Sequence, residues 1–246
     1  MQCYSVVMEK KWPKTFPPLT PELEVISIDF MKYWHEVLPK RFGLVNRFNH
    51  NYVLKNPHSW DRTLEIGAGD GEHLFYEELN DDQFLEYHAI DIRKNMVDEL
   101  KQKFPMVNTI VADCEKTLPF SKDYFERVIA IHVLEHLPNL PKAVEEIYRV
   151  CNKTTGFVSV VIPCEGSLAY WIARKISAER IFKKRYKMPY TWFIKREHVN
   201  VPNEIFEELL KYFEVVSKTF FPLPIPIQTV NLCIGIKLRP KNPEKI

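Results

Sequence analysis

Eight residues, Leu64-Glu65-Ile66-Gly67-Ala68-Gly69-Asp70-Gly71, constrain this chain more than any other stretch. A short apolar strand carrying an acid, Glu65, runs into three glycines at alternate positions, and a helix is expected from about Glu72. Glycine has no Cβ, so the backbone can turn sharply and a ligand can lie against bare peptide. Strand, glycine turn and helix in succession describe a nucleotide-like ligand resting on backbone beside a helix N-terminus. The spacing separates this turn from dinucleotide binders. Those use G-x-G-x-x-G, which would put the third glycine at position 72, where Glu72 stands; Gly71 comes one residue early. A carboxylate at 72 would repel a pyrophosphate, whereas Glu65 on the strand suits a ligand carrying a cation or an amine.

Further landmarks follow in order. Tyr87 to Asp91 is a second strand ending in an acid, twenty positions after Gly71. An acid at that offset can accept hydrogen bonds from both hydroxyls of a ribose, although acids also favour helix N-caps regardless of function. Val107 to Ala112 is a third strand, followed by Asp113-Cys114, and Phe125 to Ile131 is a fourth, running into His132-Val133-Leu134-Glu135-His136-Leu137. Strands are expected near 62–66, 86–91, 107–112, 125–131 and 156–163, with helices near 71–80, 94–104 and 139–151. Such alternation predicts a parallel sheet wrapped by helices.

The E/D-x-G-x-G-x-G pattern resembles motif I of the class I S-adenosylmethionine (SAM) methyltransferases, and "HVLEHL" resembles the post-strand signature of many small-molecule members. The resemblance covers residues 60–163 firmly and the flanks loosely. It implies an α/β, Rossmann-like sheet of seven mostly parallel strands with a terminal antiparallel strand. It also implies an N-terminal helical lid, a substrate-defining insertion after the fifth strand, SAM as cofactor and S-adenosyl-L-homocysteine as product. By the same resemblance the turn of Gly67, Ala68, Gly69 and Gly71 holds the methionine carboxylate end, and Glu65 its amine indirectly. Asp91, with Ile92 beside it, holds the ribose; Asp113, with Cys114, holds the adenine. His132 should face the sulfonium end, as pocket lining or as a base.

Around this core the chain divides into residues 1–59, an arm and helical lid, and 60–246, the cofactor domain with an insertion at 164–202. Residues 1–20 contain Pro13, Pro17 and Pro18 and read as an extended arm. Ile26, Phe30, Tyr33, Trp34 and Val37 recur at helical spacing. The cluster from Asn46 to Tyr52 is either lid contacts or packing. Leu168 to Lys184 reads as one amphipathic helix, and Glu204 to Phe213 as another. Strands near 214–221 and 229–238 flank a proline-rich connection, Pro222 to Pro226.

Charge is uneven. Between Arg174 and Arg196 stand nine Lys or Arg against one acid, Glu179, a net +8 that leaves −6 for the rest of the chain. Such a block suits an anionic partner (a phosphorylated substrate, a nucleic acid or a membrane surface) or is a solvated helix face. It ends in Lys195-Arg196-Glu197-His198-Val199-Asn200. His198 is a candidate proton acceptor and Arg196 a candidate clamp for an anionic group. His35 and His50 are weaker base candidates, and His136 reads as structural.

Five scattered cysteines without a C-x-x-C pair argue against a zinc site or a disulfide framework, and for a reducing compartment. No metal ligand is expected. The run Tyr4 to Met8 is too short for a signal peptide, and no apolar stretch approaches the roughly 20 residues of a membrane span. The expectation is a soluble cytoplasmic enzyme. The strings "WHEVLPKRFG" and "CEGSLAYWIARKISAERIFKKRY" resemble bacterial methyltransferases encoded among surface-polysaccharide genes. That implies transfer to an oxygen of a small anionic acceptor: a nucleotide-linked sugar, a phosphoryl-bearing precursor or a lipid-linked glycan. Peripheral membrane contact through 168–187 is compatible with the last. The alternative is a nucleic-acid methyltransferase, but the [N/D]-P-P-[Y/F] loop for base amines is absent after the fourth strand. A non-catalytic binding module and a NAD enzyme fit less well, and the oligomeric state is open.

Overall fold

The computed structural model describes residues 12–55 and 60–245; residues 1–11, half of the expected arm, and the side chains of 35–41, His35 and Val37 among them, lie outside the described residues. The expected seven-stranded sheet is present, in the order β3-β2-β1-β4-β5-β7-β6. Its strands are β1 Thr63–Ile66, β2 Tyr87–Asp91, β3 Asn108–Val111, β4 Arg127–Ile131, β5 Phe157–Pro163, β6 Phe213–Phe221 and β7 Cys233–Pro240. The first five are parallel, and β7 runs antiparallel to β5 and β6, which flank it.

Burial explains the sheet. β5 is buried at every position, as a strand covered on both faces must be. On one face Leu64, Ile66, Val128, Val160 and Ile162 pack against α5, Leu140–Val150, and α9, Pro202–Tyr212. On the other, Tyr52 and Val53 of α2, Gly43–Leu54, lie over Ile129 and Val161. Tyr52 also fills the space that a side chain at Gly235 would need, its ring atoms lying 2.5 Å from the position of a Cβ there. α4, Lys94–Lys103, closes the β2 side through Leu100, which joins Tyr87 and Ala89. Beneath the sheet Arg127 is fully buried, its guanidinium 2.5 Å from Glu77 and 4.4 Å from the Trp60 ring.

Two local expectations fail. The helix expected over 71–80 is a 3-10 turn, Glu72–Tyr76. Glu77 is held there by Arg127 and by His73, 2.7 Å away. Asn80 then starts a separate short helix, α3 Asp81–Leu85, through a capping box with Gln83. The single amphipathic helix expected over 168–184 is two: α6, Leu168–Ile176, and α7, Ala178–Tyr186. The break lies at Ser177, whose backbone leaves the helical region (φ −113°, ψ −98°) and whose hydroxyl donates to the Ala173 carbonyl. Such back-bonding competes with the helical ladder.

The break turns α7 onto α1, Pro21–Arg41. Phe30 of α1 is enclosed by Phe182, Tyr190 and Phe193, the last from α8, Thr191–Glu197. Its ring meets Phe182 at 5.0 Å and Phe193 at 5.1 Å, both edge to face, the arrangement the ring quadrupoles favour. The N-terminal helix and the insertion thus form one aromatic cap. Residues 13–20 of the arm form neither helix nor strand, and Lys14 fixes them to Glu204 and to the Val199 carbonyl.

Candidate active site

In a parallel sheet the loops after successive strands emerge at one edge, where ligands bind when the strand order reverses. β1 lies between β2 and β4, so the glycine turn, Asp91, Asp113 and His132 all arrive there. The three glycines take left-handed backbone, φ +67°, +57° and +87° in order, but serve different ends. A Cβ on Gly67 would lie 2.4 Å from Val133, and one on Gly71 about 3.1 Å from Leu100 and Phe104. Those two glycines admit neighbouring protein. Of the three, Gly69 opens outward: the nearest atom to a Cβ there would be in the Arg93 guanidinium, at 4.0 Å. The Ala68 amide is used inside the fold, donating to the Ile90 carbonyl.

Asp91 closes β2 with both oxygens engaged. Oδ2 accepts from the Gly69 amide at 3.0 Å and from Arg93 Nη2 at 3.1 Å; Oδ1 accepts from the Arg93 amide and Nε. Burial works against the ionised form, yet these bonds hold the carboxyl below its usual range. Arg93 is half-exposed, so its guanidinium can leave Asp91 for a diol. Ile92, 65% exposed, presents an apolar surface at the edge. Asp113 accepts from the Glu115 amide and pairs with Lys116. The Cys114 side chain is not at the edge: it is buried in the main core, its thiol pushed up to about 12 chiefly by that burial. Only its backbone remains for a ligand. Glu65 points beneath the edge and accepts from the Tyr87 hydroxyl at 2.7 Å. Burial raises it to about 8 despite that bond, with Glu77 and Asp91 adding repulsion.

Beyond β4 the histidines converge. His132 takes positive φ, +52°, a conformation uncommon outside glycine and recurrent at functional sites. Its Nδ1 lies 2.9 Å from Glu135 Oε1. Burial disfavours the imidazolium, but Cys233 and Glu135 beside it raise His132 to about 10. It is therefore protonated at neutral pH, which does not suit a resting base. Against its own burial, Glu135 is lowered to about 2 by His132, and burial drives His136 down to about 4. The main chain ties this corner together: the Val199 and Asn200 amides donate to the Glu135 carbonyl, and the Asn200 side chain donates to Leu134 and Leu137. His198 is thereby brought beside His136, ring centroids 5.2 Å apart. Its Nδ1 meets Glu165 Oε2 at 2.8 Å.

Arg196 is not an anion clamp in this arrangement. It donates to the Pro17 carbonyl and lies over the Phe16 ring, because the arm runs alongside α8. Much of the basic block is likewise engaged: Arg174 with Glu165, Lys175 and Lys183 with Glu179, Arg185 with Asp29. Arg180, Lys184, Lys187 and Lys195 are exposed and form no ion pair among the described residues. The Asn46 to Tyr52 cluster packs inside the fold. Asn46 donates to Glu72 and to the Tyr76 hydroxyl, and His50 stacks on Tyr76. Arg93, Glu135 and Glu165 were not singled out from sequence; for Glu135 a signal existed in its i, i+3 spacing from His132.

This edge, with one bare glycine, an acid at the next strand end and a polar corner beyond, defines an α/β domain for a nucleoside-type cofactor. Residues 64–158 match the family model described as a methyltransferase domain. No curated protein matches the chain in sequence. Among solved structures, the PH0226 protein of Pyrococcus horikoshii OT3 has a TM-score of 0.59 at 16% identity, over 85% of this chain and 99% of its own. A TehB-like SAM-dependent methyltransferase from Corynebacterium glutamicum has a TM-score of 0.59 at 12% identity, over 89% and 100%. The N-methyltransferase NodS from Bradyrhizobium japonicum, in complex with S-adenosyl-L-homocysteine, has 0.54 at 12%, over 80% and 87%. These likenesses establish the fold. Over residues 64–158 the chain is similar to methyltransferase domains.

Proposed function

We propose that this protein methylates a hydroxyl oxygen of a small anionic acceptor, of the phosphoryl- or nucleotide-linked sugar class from which surface polysaccharides are built. The observation carrying the reading is that the open face of Gly69 and the His198–Glu165 pair are served by the same sheet edge. The bare backbone face of Gly69 would admit the amino-acid end of the cofactor, Asp91 would take its ribose once Arg93 moves aside, and Ile92 and Asp113 its base. When bound, SAM supplies a methyl group already activated by its sulfonium. The chain then has to bind and orient the acceptor, exclude water and receive one proton. His198, held through Nδ1 by Glu165, presents Nε2 for that proton. The aromatic cap excludes water, and the unpaired cations Arg180, Lys184, Lys187 and Lys195 favour an acceptor bearing phosphate. Exposed Leu168, Trp171, Ile172 and Ile176 on α6 suit an acceptor carried on a lipid; among the described residues no helix is long and apolar enough to cross a membrane.

Calorimetry with SAM and S-adenosyl-L-homocysteine, followed by methyl uptake from labelled SAM onto phosphorylated sugars and RNA oligonucleotides, tests this. Binding with transfer to a sugar phosphate is expected. Transfer to RNA alone, with a steep loss on adding salt, would replace the acceptor class. Glu65 adds a second reading of cofactor binding. A cationic ligand near Glu65, raised to about 8 by burial, must draw it towards ionisation. Binding at neutral pH should then release protons, seen as a binding heat that depends on the buffer's ionisation enthalpy.

A further inference from the structure

We infer that Glu135, His136 and His198 form a divalent-cation site on the acceptor side of the cofactor edge. One ligand atom from each lies within 4.8 Å of the other two. The carboxylate supplies an independent observation. Glu135 is completely buried; Oε1 is 2.9 Å from His132 Nδ1 and 3.8 Å from His136 Nε2, while Oε2 has no hydrogen-bond partner. A buried carboxylate oxygen lacking a donor is costly, and a cation is the partner that would remove the cost.

The two imidazoles are prepared for the same ion. His198 Nδ1 is bonded to the Glu165 carboxylate and His136 Nδ1 to the Glu197 carbonyl. A partner on Nδ1 places the proton there and leaves the Nε2 lone pair for a metal, the outer-shell pattern of histidine ligands. Glu165 is itself anchored by Arg174, so the orientation of His198 is fixed two residues deep. Two ligands each ~2.1 Å from a tetrahedral ion are about 3.4 Å apart. Closing the spread of up to 4.8 Å to that value takes a shift of about 1.4 Å, shared among the three side chains.

Two imidazoles and one carboxylate leave coordination positions open, as catalytic sites do. The donor set suits Zn²⁺, Fe²⁺, Mn²⁺ or Co²⁺ better than Ca²⁺. On the reading that this is an O-methyltransferase, an open position takes the acceptor oxygen. Its O–H bond breaks, the proton passes to water, and the oxyanion stays on the cation until it bonds the methyl carbon, whose bond to the sulfonium breaks with the electron pair going to sulfur to leave the neutral thioether. A bound cation lowers the pKa of an oxygen ligand by several units, so His198 acts as ligand in the metal-loaded form and as proton acceptor only without it.

The test uses tag-free, chelator-stripped full-length protein titrated with Co²⁺, following the visible d–d band, and with Zn²⁺ by calorimetry. Uptake of one ion per chain is expected, weakened at least tenfold by His198→Ala and by His136→Ala. Glu165→Gln, which leaves all three ligands in place, should weaken it about tenfold. Were His136→Ala unable to fold, the other two variants carry the comparison. No saturable uptake, or wild-type affinity in His198→Ala, overturns the site. SAM titrations on the same samples separate the two readings. SAM binding without metal uptake removes the cation site alone, whereas metal uptake without SAM binding keeps the site and removes the methyltransferase reading.

Discussion

The cofactor half and the cap above it are held by different physics. In the cofactor half, each candidate ligand group sits at the end of a parallel strand, so its position follows from the ladder once the strands are formed. The register Glu65 to Ala89 to Thr109 brings Gly69 beside Asp91 without any help from the flanks. In the cap no such ladder exists. Phe30 finds Phe182 and Phe193, and Arg185 finds Asp29, across most of the length of the chain. Backbone hydrogen bonding fixes the first region; side-chain packing between distant segments fixes the second. The first should therefore be rigid before ligand arrives and the second able to loosen separately.

The largest expected effect tests the buried charge under the sheet. Arg127→Met leaves the buried Glu77 carboxylate with only the His73 imidazole beside it among the described residues, so the urea midpoint should fall by the equivalent of about 3–5 kcal/mol. The matching change in the cap, Arg185→Met, removes an exposed pair and should leave the midpoint unmoved. Equal losses would end the distinction between the regions.

Phe30→Ala comes next. A buried Phe→Ala change costs about 3–5 kcal/mol, but here the loss should stay within the cap. Hydrogen exchange and proteolysis over 178–193 should accelerate while SAM affinity stays within about threefold, since a local opening does not reach the strand ends. Simultaneous loss of cofactor binding would show that the cap and sheet unfold as one.

A finer contrast lies inside the glycine turn. An alanine in left-handed backbone costs about 1–2 kcal/mol, so Gly69→Ala should cost no more than that and yet weaken SAM binding at least tenfold. Gly67→Ala meets Val133 as well and should lower the thermal midpoint further. If Gly67→Ala is the milder of the two in stability, the assignment of their roles is reversed.

A last contrast is the pH dependence of the metal-stripped protein. His132, raised to about 10, contributes stability that is full below its unfolded value near 6.5 and declines as pH rises towards 10. His136, lowered to about 4 mainly by burial, acts oppositely. Its unfolded form takes up the proton first, so stability declines as pH falls from 6.5 to 4. Glu135, lowered to about 2, adds a further loss below its unfolded value near 4.5. Glu65, raised to about 8, loses stability as pH rises from about 4.5 and offsets the gain from His136, so the thermal midpoint should be level between about pH 4.5 and 6.5 and fall on either side. His132→Asn, tolerant of positive φ, should make the alkaline limb shallower, and His136→Asn should tilt the level stretch into a decline as pH rises.

Sequence by itself determined the sheet, the glycine turn and the placing of Asp91, because each is encoded within a few residues. Alternating apolar runs specify strands and helices, and glycine spacing specifies a turn. Helix lengths were less legible. The back-bond from Ser177 to Ala173, though local, leaves no trace in the apolar periodicity, and the buried Glu77–Arg127 pair, fifty positions apart, ends the turn after Gly71. For the same reason nothing in the pattern separated Gly69 from Gly67 and Gly71, since their difference lies in Val133, Leu100 and Phe104. Nor could net charge tell which cations of the basic block were already paired. Tertiary structure alone decided that Arg196 serves the arm, that Cys114 faces the core, and that His198 joins Glu135 and His136. That meeting depends on the Asn200 side chain and two amides crossing between loops, contacts whose partners only folding brings within reach.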